Sequence, residues 1–293
     1  MFAAAIPFPD IDPAIFTIRL GEFAFPVYWY ALGYIVGILI GWWIIARAIA
    51  RPGLWGGEAP MTKAQLEALV SWMVIGIIVG GRLGYTLFYQ PGYYLAHPVE
   101  ILTGIRSGGM SFHGGFLGVV VAAWLFARKH GLQTASLADL LAIAAPPALG
   151  LVRVANFVNA ELWGRPTDLP WGVIFPGELA QACATVAGPC ARHPSQIYEA
   201  GLEGLLLSVL LLVLAFRRGW LKTPGLLAGT FFAGYGLSRF IVEFFRQADA
   251  FYITADNPAG HVFLGMTMGQ VLSLPMVLAG GATVLWALKR VRA

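Results

Sequence analysis

From residue 25 to the C-terminus, long apolar runs alternate with short polar connections, at about 25–46, 68–89, 110–127, 139–159, 197–216, 225–245 and 268–288. Crossing a hydrocarbon core of roughly 30 Å takes about 20 helical residues. The pattern predicts an all-α membrane protein: seven transmembrane helices in one polytopic domain spanning residues 1–293. The connection at 160–196 is the only insertion long enough for a small element outside the bilayer, and no internal repeat is evident. The fourth run contains Pro146 and Pro147, which predict a break in that helix.

Composition agrees with a bilayer environment, since 58% of residues are hydrophobic and 12% charged, against about 45–50% and about 25% in soluble chains. The basic residues fix a direction. Arg47, Arg51, Lys63, Arg128, Lys129, Arg217, Arg218, Lys222, Lys289, Arg290 and Arg292 all fall in alternate connections or at the C-terminus. Lys and Arg collect on the cytoplasmic side, so the N-terminus is expected outside and the C-terminus in the cytoplasm, with 160–196 on the outer face. The first two dozen residues lack a basic n-region and a small-residue cleavage site, which disfavours a removable signal peptide.

The net charge of +4 does not form a stripe of the kind that binds nucleic acid, so no such partner is expected. Cys183 and Cys190, the only cysteines, cannot build a metal site of the CxxC type, and neither lies in a span as a nucleophile. Neither metal nor cofactor is expected. On the oxidising face the two cysteines are free to pair; two unpaired small residues are the other reading.

Arg82, Arg153 and Arg239 lie inside apolar runs, where a guanidinium costs several kcal/mol and faces a protein interior, a cavity or a partner. Arg239 sits six residues from the outer end of its run, about 9 Å at helical rise. Arg82 is at a similar depth, and Arg153 and His113 are near the outer ends of theirs. Tyr235, Arg239, Glu243 and Arg246 share one helical face, and Arg153, Asn156 and Asn159 recur at three-residue intervals before Glu161. Glu199 and Glu203 stand one turn apart on the fifth run.

Guanidiniums converging at headgroup depth suit an anionic group, and a lipid phosphate is the anion most available there. Neutralisation by Glu161, Glu203 or Glu243 is the competing reading, and Arg82 equally suits a structural ion pair. An imidazole, with an ordinary pKa of about 6.5, is suited to accept a proton from a thiol of about 8.5, though His113 also reads as an interfacial residue. Tyr30, next to Trp29, reads as part of an interfacial aromatic belt.

The run Arg153-Val-Ala-Asn156-Phe-Val-Asn159-Ala-Glu161-Leu-Trp-Gly164-Arg165 resembles the prolipoprotein diacylglyceryl transferase family. The resemblance extends in the family's order through Trp29-Tyr30, Gly80-Gly81-Arg82-Leu83-Gly84-Tyr85, Gly109-Met-Ser-Phe-His113-Gly-Gly, Arg192-His193-Pro194-Ser195-Gln196-Ile-Tyr198-Glu199, Tyr235-Gly-Leu-Ser-Arg239 and Val242-Glu243-Phe-Phe-Arg246-Gln-Ala-Asp249. Val152 and Ala155 stand where the family pattern has Gly; neither departure removes a polar group.

The resemblance implies a multi-pass enzyme of the bacterial inner membrane that begins lipoprotein maturation. Its substrates would be phosphatidylglycerol, a membrane lipid, and a prolipoprotein signal peptide bearing a lipobox cysteine. The cysteine thiol would take the diacylglyceryl group as a thioether and release glycerol phosphate, near the periplasmic leaflet. It implies catalytic roles for His113, Arg153, Tyr235 and Arg239, and substrate contacts for Tyr30, Asn156, Glu161, Gly164, Glu243 and Arg246. Lipid and precursor would enter laterally, through openings between spans.

Two other classes compete. A phospholipid flippase or anion transporter would also need cavity-facing arginines, but it predicts polar residues through the inner half, where the first and fifth runs are almost wholly apolar. A noncatalytic binding protein is opposed by the motifs alone.

Overall fold

The computed structural model describes residues 5–183 and 189–292. Short strands β1 (Ile6–Pro7), β2 (Ala14–Leu20) and β3 (Phe23–Tyr28) precede helices α1 (Trp29–Ile49) and α2 (Lys63–Phe88). Two short helices, α3 (Pro91–Ala96) and α4 (Glu100–Thr103), lead to α5 (Phe112–His130) and α6 (Thr134–Val158). After β4 (Val173–Ile174) and α7 (Glu178–Gln181), helix α8 (Ser195–Glu199) passes through a π-helical turn at Ala200–Leu206 into α9 (Leu207–Phe216). The chain continues with α10 (Leu226–Val242), β5 (His261–Phe263), β6 (Met266–Thr267) and α11 (Met268–Arg292).

Every apolar run coincides with a helical rod. Five are long and apolar enough to cross a membrane: α1, α2, α6, the α8–α9 rod and α11. Helix α10 is apolar but has 17 residues, and the last turn of α5 is basic. The outer faces expose large apolar side chains, among them Ile35, Leu39, Ile75, Leu205 and Leu278. The chain is a mostly helical multi-pass membrane protein.

Four expectations are corrected. The chain is not purely helical: β2 and β3 form an antiparallel hairpin, β1 pairs in parallel with β4, and β5 pairs with β6. Extended residues Phe23–Tyr28 therefore occupy the predicted start of the first run, and the helix begins at Trp29. Helix α6 is not broken by Pro146 and Pro147; in a bundle, neighbouring helices re-satisfy the carbonyls a proline leaves open. The 160–196 connection is not the only structured insertion, because α3 and α4 fill the link after α2, and β5 and β6 the link before α11.

Local chemistry explains several boundaries. Thr62 and Gln65 form a reciprocal capping box that starts α2. Gly131, left-handed at φ 63°, ends α5. Helix α10 has no cap from its own side chains; Asp139 of α6 supplies one, accepting from the backbone N–H groups of Gly225 and Ala228 at 2.7 Å each. The helix that carries Tyr235 and Arg239 is thus anchored at its start by α6.

The largest apolar core, including Ile44, Leu66, Phe126, Leu140, Leu211 and Leu227, occupies the end of the bundle where Arg47, Lys63, Arg128 and Lys222 lie. At the opposite end a smaller core of Val173, Phe175 and Ala180, packed with Phe8, Phe157, Ala160 and Trp163, caps α6. A Cys183–Cys190 disulfide closes the segment beside it, with Cα atoms 6.2 Å apart, so of the two readings left open for these cysteines the paired one holds.

Candidate active site

At the end capped by the small core, α6, α8, the π-helical turn and α10 bring six charges together. Glycine makes the approach possible: a Cβ on Gly204 would strike the Cα of Gly150, so the π-helical turn lies directly on α6. Glu199 and Glu203 on that rod are fully buried. A buried carboxylate must be paired or hydrogen-bonded, and Arg153 of α6, Arg239 of α10 and Arg246, four residues past the end of α10, meet this need.

Glu199 is the centre. Arg153 Nε lies 2.9 Å from its Oε2, while its Oε1 receives Arg239 and, at 3.1 Å, Arg246. Arg239 also pairs with Glu243 one turn along α10 at 2.5 Å, and Arg246 approaches Glu243 at 3.7 Å. Arg153 reaches Glu203 at 3.7 Å, and Tyr235 of α10 lies close enough to interact electrostatically with Arg153. Glu243 accepts from Thr267 Oγ1 at 2.7 Å, which ties the cluster to the start of α11.

Neutralisation is therefore real and runs in part through the residues expected. Glu203 and Glu243 take part, Glu161 does not, and Glu199 carries most of it. The Arg153, Arg239 and Arg246 side chains remain 19%, 18% and 12% exposed. Three guanidiniums offer about fifteen N–H donors, and the ion-pair contacts with the glutamates use fewer than half of them. Partial exposure plus unused, preorganised donors is what a phosphate requires.

Beside the cluster, α6 ends in a turn that displays Glu161. Ala160 N–H donates to Phe157 O at 2.9 Å and Glu161 N–H to Asn156 O at 3.1 Å, the two bonds of a Schellman motif, with Ala160 at φ 52° in the position that glycine usually takes. Leu162 is left-handed too, at φ 56°. Each such residue costs about 1–3 kcal/mol and persists only where its surroundings enforce it. Asn156 Nδ2 donates to the Glu161 carboxylate at 2.7 Å and approaches the Tyr30 hydroxyl at 3.4 Å; Asn159 reaches the same carboxylate at 3.4 Å. Tyr30, Asn156 and Glu161 thus form one group.

Gly164 follows in a bridge to Arg246, with its N–H donating to His193 O at 2.8 Å. A Cβ there would collide with Phe245 O and His193, so only glycine fits. Below it Arg192, buried over the Trp163 ring at 4.0 Å, donates to the carbonyls of Ala180 and Gly164 at 2.5 and 3.2 Å. Burial lowers its pKa. Burial likewise pulls His193 below the ordinary imidazole range; its Nδ1 lies 3.1 Å from the Tyr198 hydroxyl, which accepts from Trp171 Nε1 at 2.8 Å.

Arg82 does not join the cluster. Its guanidinium donates to four backbone carbonyls, of Glu100, Ile101, Gly108 and Gly109, at 2.6–3.2 Å, and lies 5.0 Å from the Tyr94 ring centre. It pins the segment that leads into α5. His113, exposed on the first turn of α5, belongs to the same unit, because Ser111 N–H donates to Gly81 O at 2.9 Å and its hydroxyl caps Gly114 N–H. Helices α2 and α5 pack through Gly76, Gly80, Gly84, Gly114 and Gly118, the small-residue spacing that lets membrane helices approach closely. His113 thus stands on a helix pair distinct from the one that builds the arginine cluster.

The family model described as prolipoprotein diacylglyceryl transferase matches residues 14–286. The chain belongs to the prolipoprotein diacylglyceryl transferase family. It is 56% identical to the phosphatidylglycerol–prolipoprotein diacylglyceryl transferase of Roseobacter denitrificans over 99% of this chain and 98% of that one. Identity to the proteins of the same description from Cereibacter sphaeroides and Mesorhizobium japonicum is 58% and 49%, over 94% and 97% of this chain and 95% and 92% of theirs. As a member of the prolipoprotein diacylglyceryl transferase family, the chain has its long motif spread over the end of α6, the Glu161 turn and the bridge to Arg246. Glu199, noted in the sequence beside Glu203 on an otherwise apolar run but given neither a catalytic nor a substrate-binding role, is the residue that organises the cluster.

Proposed function

We propose that this chain transfers the diacylglyceryl group of phosphatidylglycerol to the lipobox cysteine of prolipoproteins, as the first step of lipoprotein maturation. The cysteine sulfur attacks the glyceryl carbon that bears the phosphate ester. A carbon–sulfur bond forms, the carbon–oxygen bond breaks, and glycerol phosphate leaves with the electron pair. The thiol proton passes to a base, for which His113 is the candidate.

The observation that carries this reading is the Arg153–Arg239–Arg246 cluster around Glu199, part-exposed and with unused donors. Such donors hold the phosphate and stabilise charge on the departing oxygen, with Tyr235 orienting Arg153. Tyr30, Asn156 and Glu161 form a polar wall beside the phosphate site, Glu243 and Arg246 set the position of Arg239, and Gly164 lets the segment carrying Arg246 close on the Glu161 turn.

Seven helices crossing the bacterial inner membrane, one domain over residues 1–293, a periplasmic N-terminus and element at 160–196, and a cytoplasmic C-terminus complete the proposal. The basic residues gathered at one end support that direction, and the site lies at the other, in the periplasmic leaflet. A flippase or transporter reading is opposed by the apolar core that fills the basic end among the described residues.

The test is transfer by purified protein in nanodiscs containing phosphatidylglycerol, with a lipobox peptide, following thioether and glycerol phosphate together. Equimolar products support the reading, and their absence from folded, lipid-binding protein overturns it. His113→Gln, run in parallel, should lose turnover and alter its pH dependence if this imidazole takes the thiol proton.

A further inference from the structure

Two of the left-handed residues other than glycine, Ala160 and Leu162, flank Glu161. A turn with this geometry relaxes unless something external fixes it. The fixing groups come from the first two residues of α8. Gln196 Nε2 donates to Glu161 O at 2.5 Å, and Ser195 Oγ donates to Leu162 O at 3.0 Å; both side chains are fully buried. Three residues beyond Gln196 on the same short helix stands Glu199, the centre of the arginine cluster. One rigid turn of helix therefore holds the Glu161–Asn156–Tyr30 wall with one end and the three guanidiniums with the other.

We infer that Ser195 and Gln196 are positioning residues that set the Glu161 turn at a fixed distance from the arginine cluster, so that the two sides of the site act on one substrate. This rests on the proposed transferase function and goes beyond it, since both side chains are buried and donate to backbone carbonyls of the turn. Gln196 is the stronger of the two. Its amide donates to the carbonyl of Glu161 itself, and Asn, one methylene shorter, would not reach it.

The experiment is a double-mutant cycle of Gln196→Ala with Ala160→Gly, reading kcat, KM for phosphatidylglycerol and the thermal midpoint. Glycine adopts φ near +52° without strain, so it replaces the external support by making the turn intrinsically favourable. Gln196→Ala is expected to lower kcat at least tenfold, with KM changed less than threefold and the midpoint moved only a few degrees. Ala160→Gly, near wild type alone, is expected to restore at least threefold of the loss in the Gln196→Ala background.

Ser195→Ala should give a smaller effect of the same kind and serves if Gln196→Ala does not fold. In Gln196→Glu, activity should return only at low pH, where the carboxyl is protonated and donates. The inference is overturned if kcat is unchanged, if kcat and midpoint fall together with no recovery by Ala160→Gly, or if KM alone moves. Failure of the transferase reading looks different: the wild-type chain forms no thioether. Wild-type turnover that is lost in Glu161→Gln but kept in Gln196→Ala would sink this inference alone.

Discussion

Arg153 Nε lies 2.9 Å from one oxygen of Glu199, whose other oxygen receives both Arg239 and Arg246. A single buried carboxylate thus holds three guanidiniums, from α6, from α10 and from the bridge that follows α10, while Glu203, equally buried, has only a 3.7 Å contact with Arg153.

This asymmetry separates two chemically identical substitutions. Removing one partner of a buried ion pair costs about 3–5 kcal/mol because the other charge is left uncompensated. Glu199→Gln is therefore expected to lose most of the fold's stability or all activity. Glu203→Gln, which deletes one long contact, should fall within about 1 kcal/mol of wild type. Thermal midpoints and transfer rates of the two variants side by side check this, and equal effects would contradict it.

Asp139 caps α10 across the bundle with both carboxylate oxygens. Asp139→Ala leaves two buried N–H groups unpaired, at about 1–3 kcal/mol each. Denaturation should show that loss, and hydrogen exchange should quicken first at the start of α10, around residues 225–228. Protection unchanged there would refute the capping role.

Arg82 anchors a loop through four backbone carbonyls, apart from the arginine cluster. Arg82→Lys presents one ammonium to four carbonyls arranged for a planar fork. It should loosen the segment at 99–111, detected as faster proteolysis or exchange there, and slow transfer without a specific rise in KM for phosphatidylglycerol. A KM effect with an unaltered segment would move Arg82 to the lipid.

His193 gives a pH dependence. Burial depresses its pKa in the folded chain, so the unfolded chain, with an imidazole near its ordinary pKa of about 6.5, binds the proton more readily. Its stabilising contribution is present above about pH 6.5 and is lost as pH falls through that range. The thermal midpoint should drop less between pH 7 and pH 5 in His193→Gln than in wild type, and parallel curves would refute this.

Much of this was legible in the sequence because bilayers impose simple rules. Run length located the long helical rods, and the 3.6-residue period placed Tyr235 and Arg239 together on α10; the helix stops at Val242, so Arg246 joins them from a bridge to Gly164 and not from the predicted helical face. What escaped depends on contacts between segments distant along the chain. The hairpin at Ala14–Tyr28 was hidden because its apolar residues merge into the first run. The burial of Arg82 by backbone carbonyls left no side-chain signature, and Glu199 became central only when the π-helical turn packed on Gly150. The predicted break at Pro146 and Pro147 failed because a proline's local penalty is offset when neighbouring helices enclose it.

The central claim is that the arginine cluster holds the phosphate and stabilises the leaving group. The most direct test is the single-turnover rate of thioether formation from phosphatidylglycerol and a lipobox peptide, comparing wild type with Arg239→Ala and Arg153→Ala, each confirmed to be folded. Loss of such a donor is expected to slow the step by about 10²–10³-fold, with glycerol phosphate release falling in step. Transfer within a few fold of wild type in either folded variant would contradict the account.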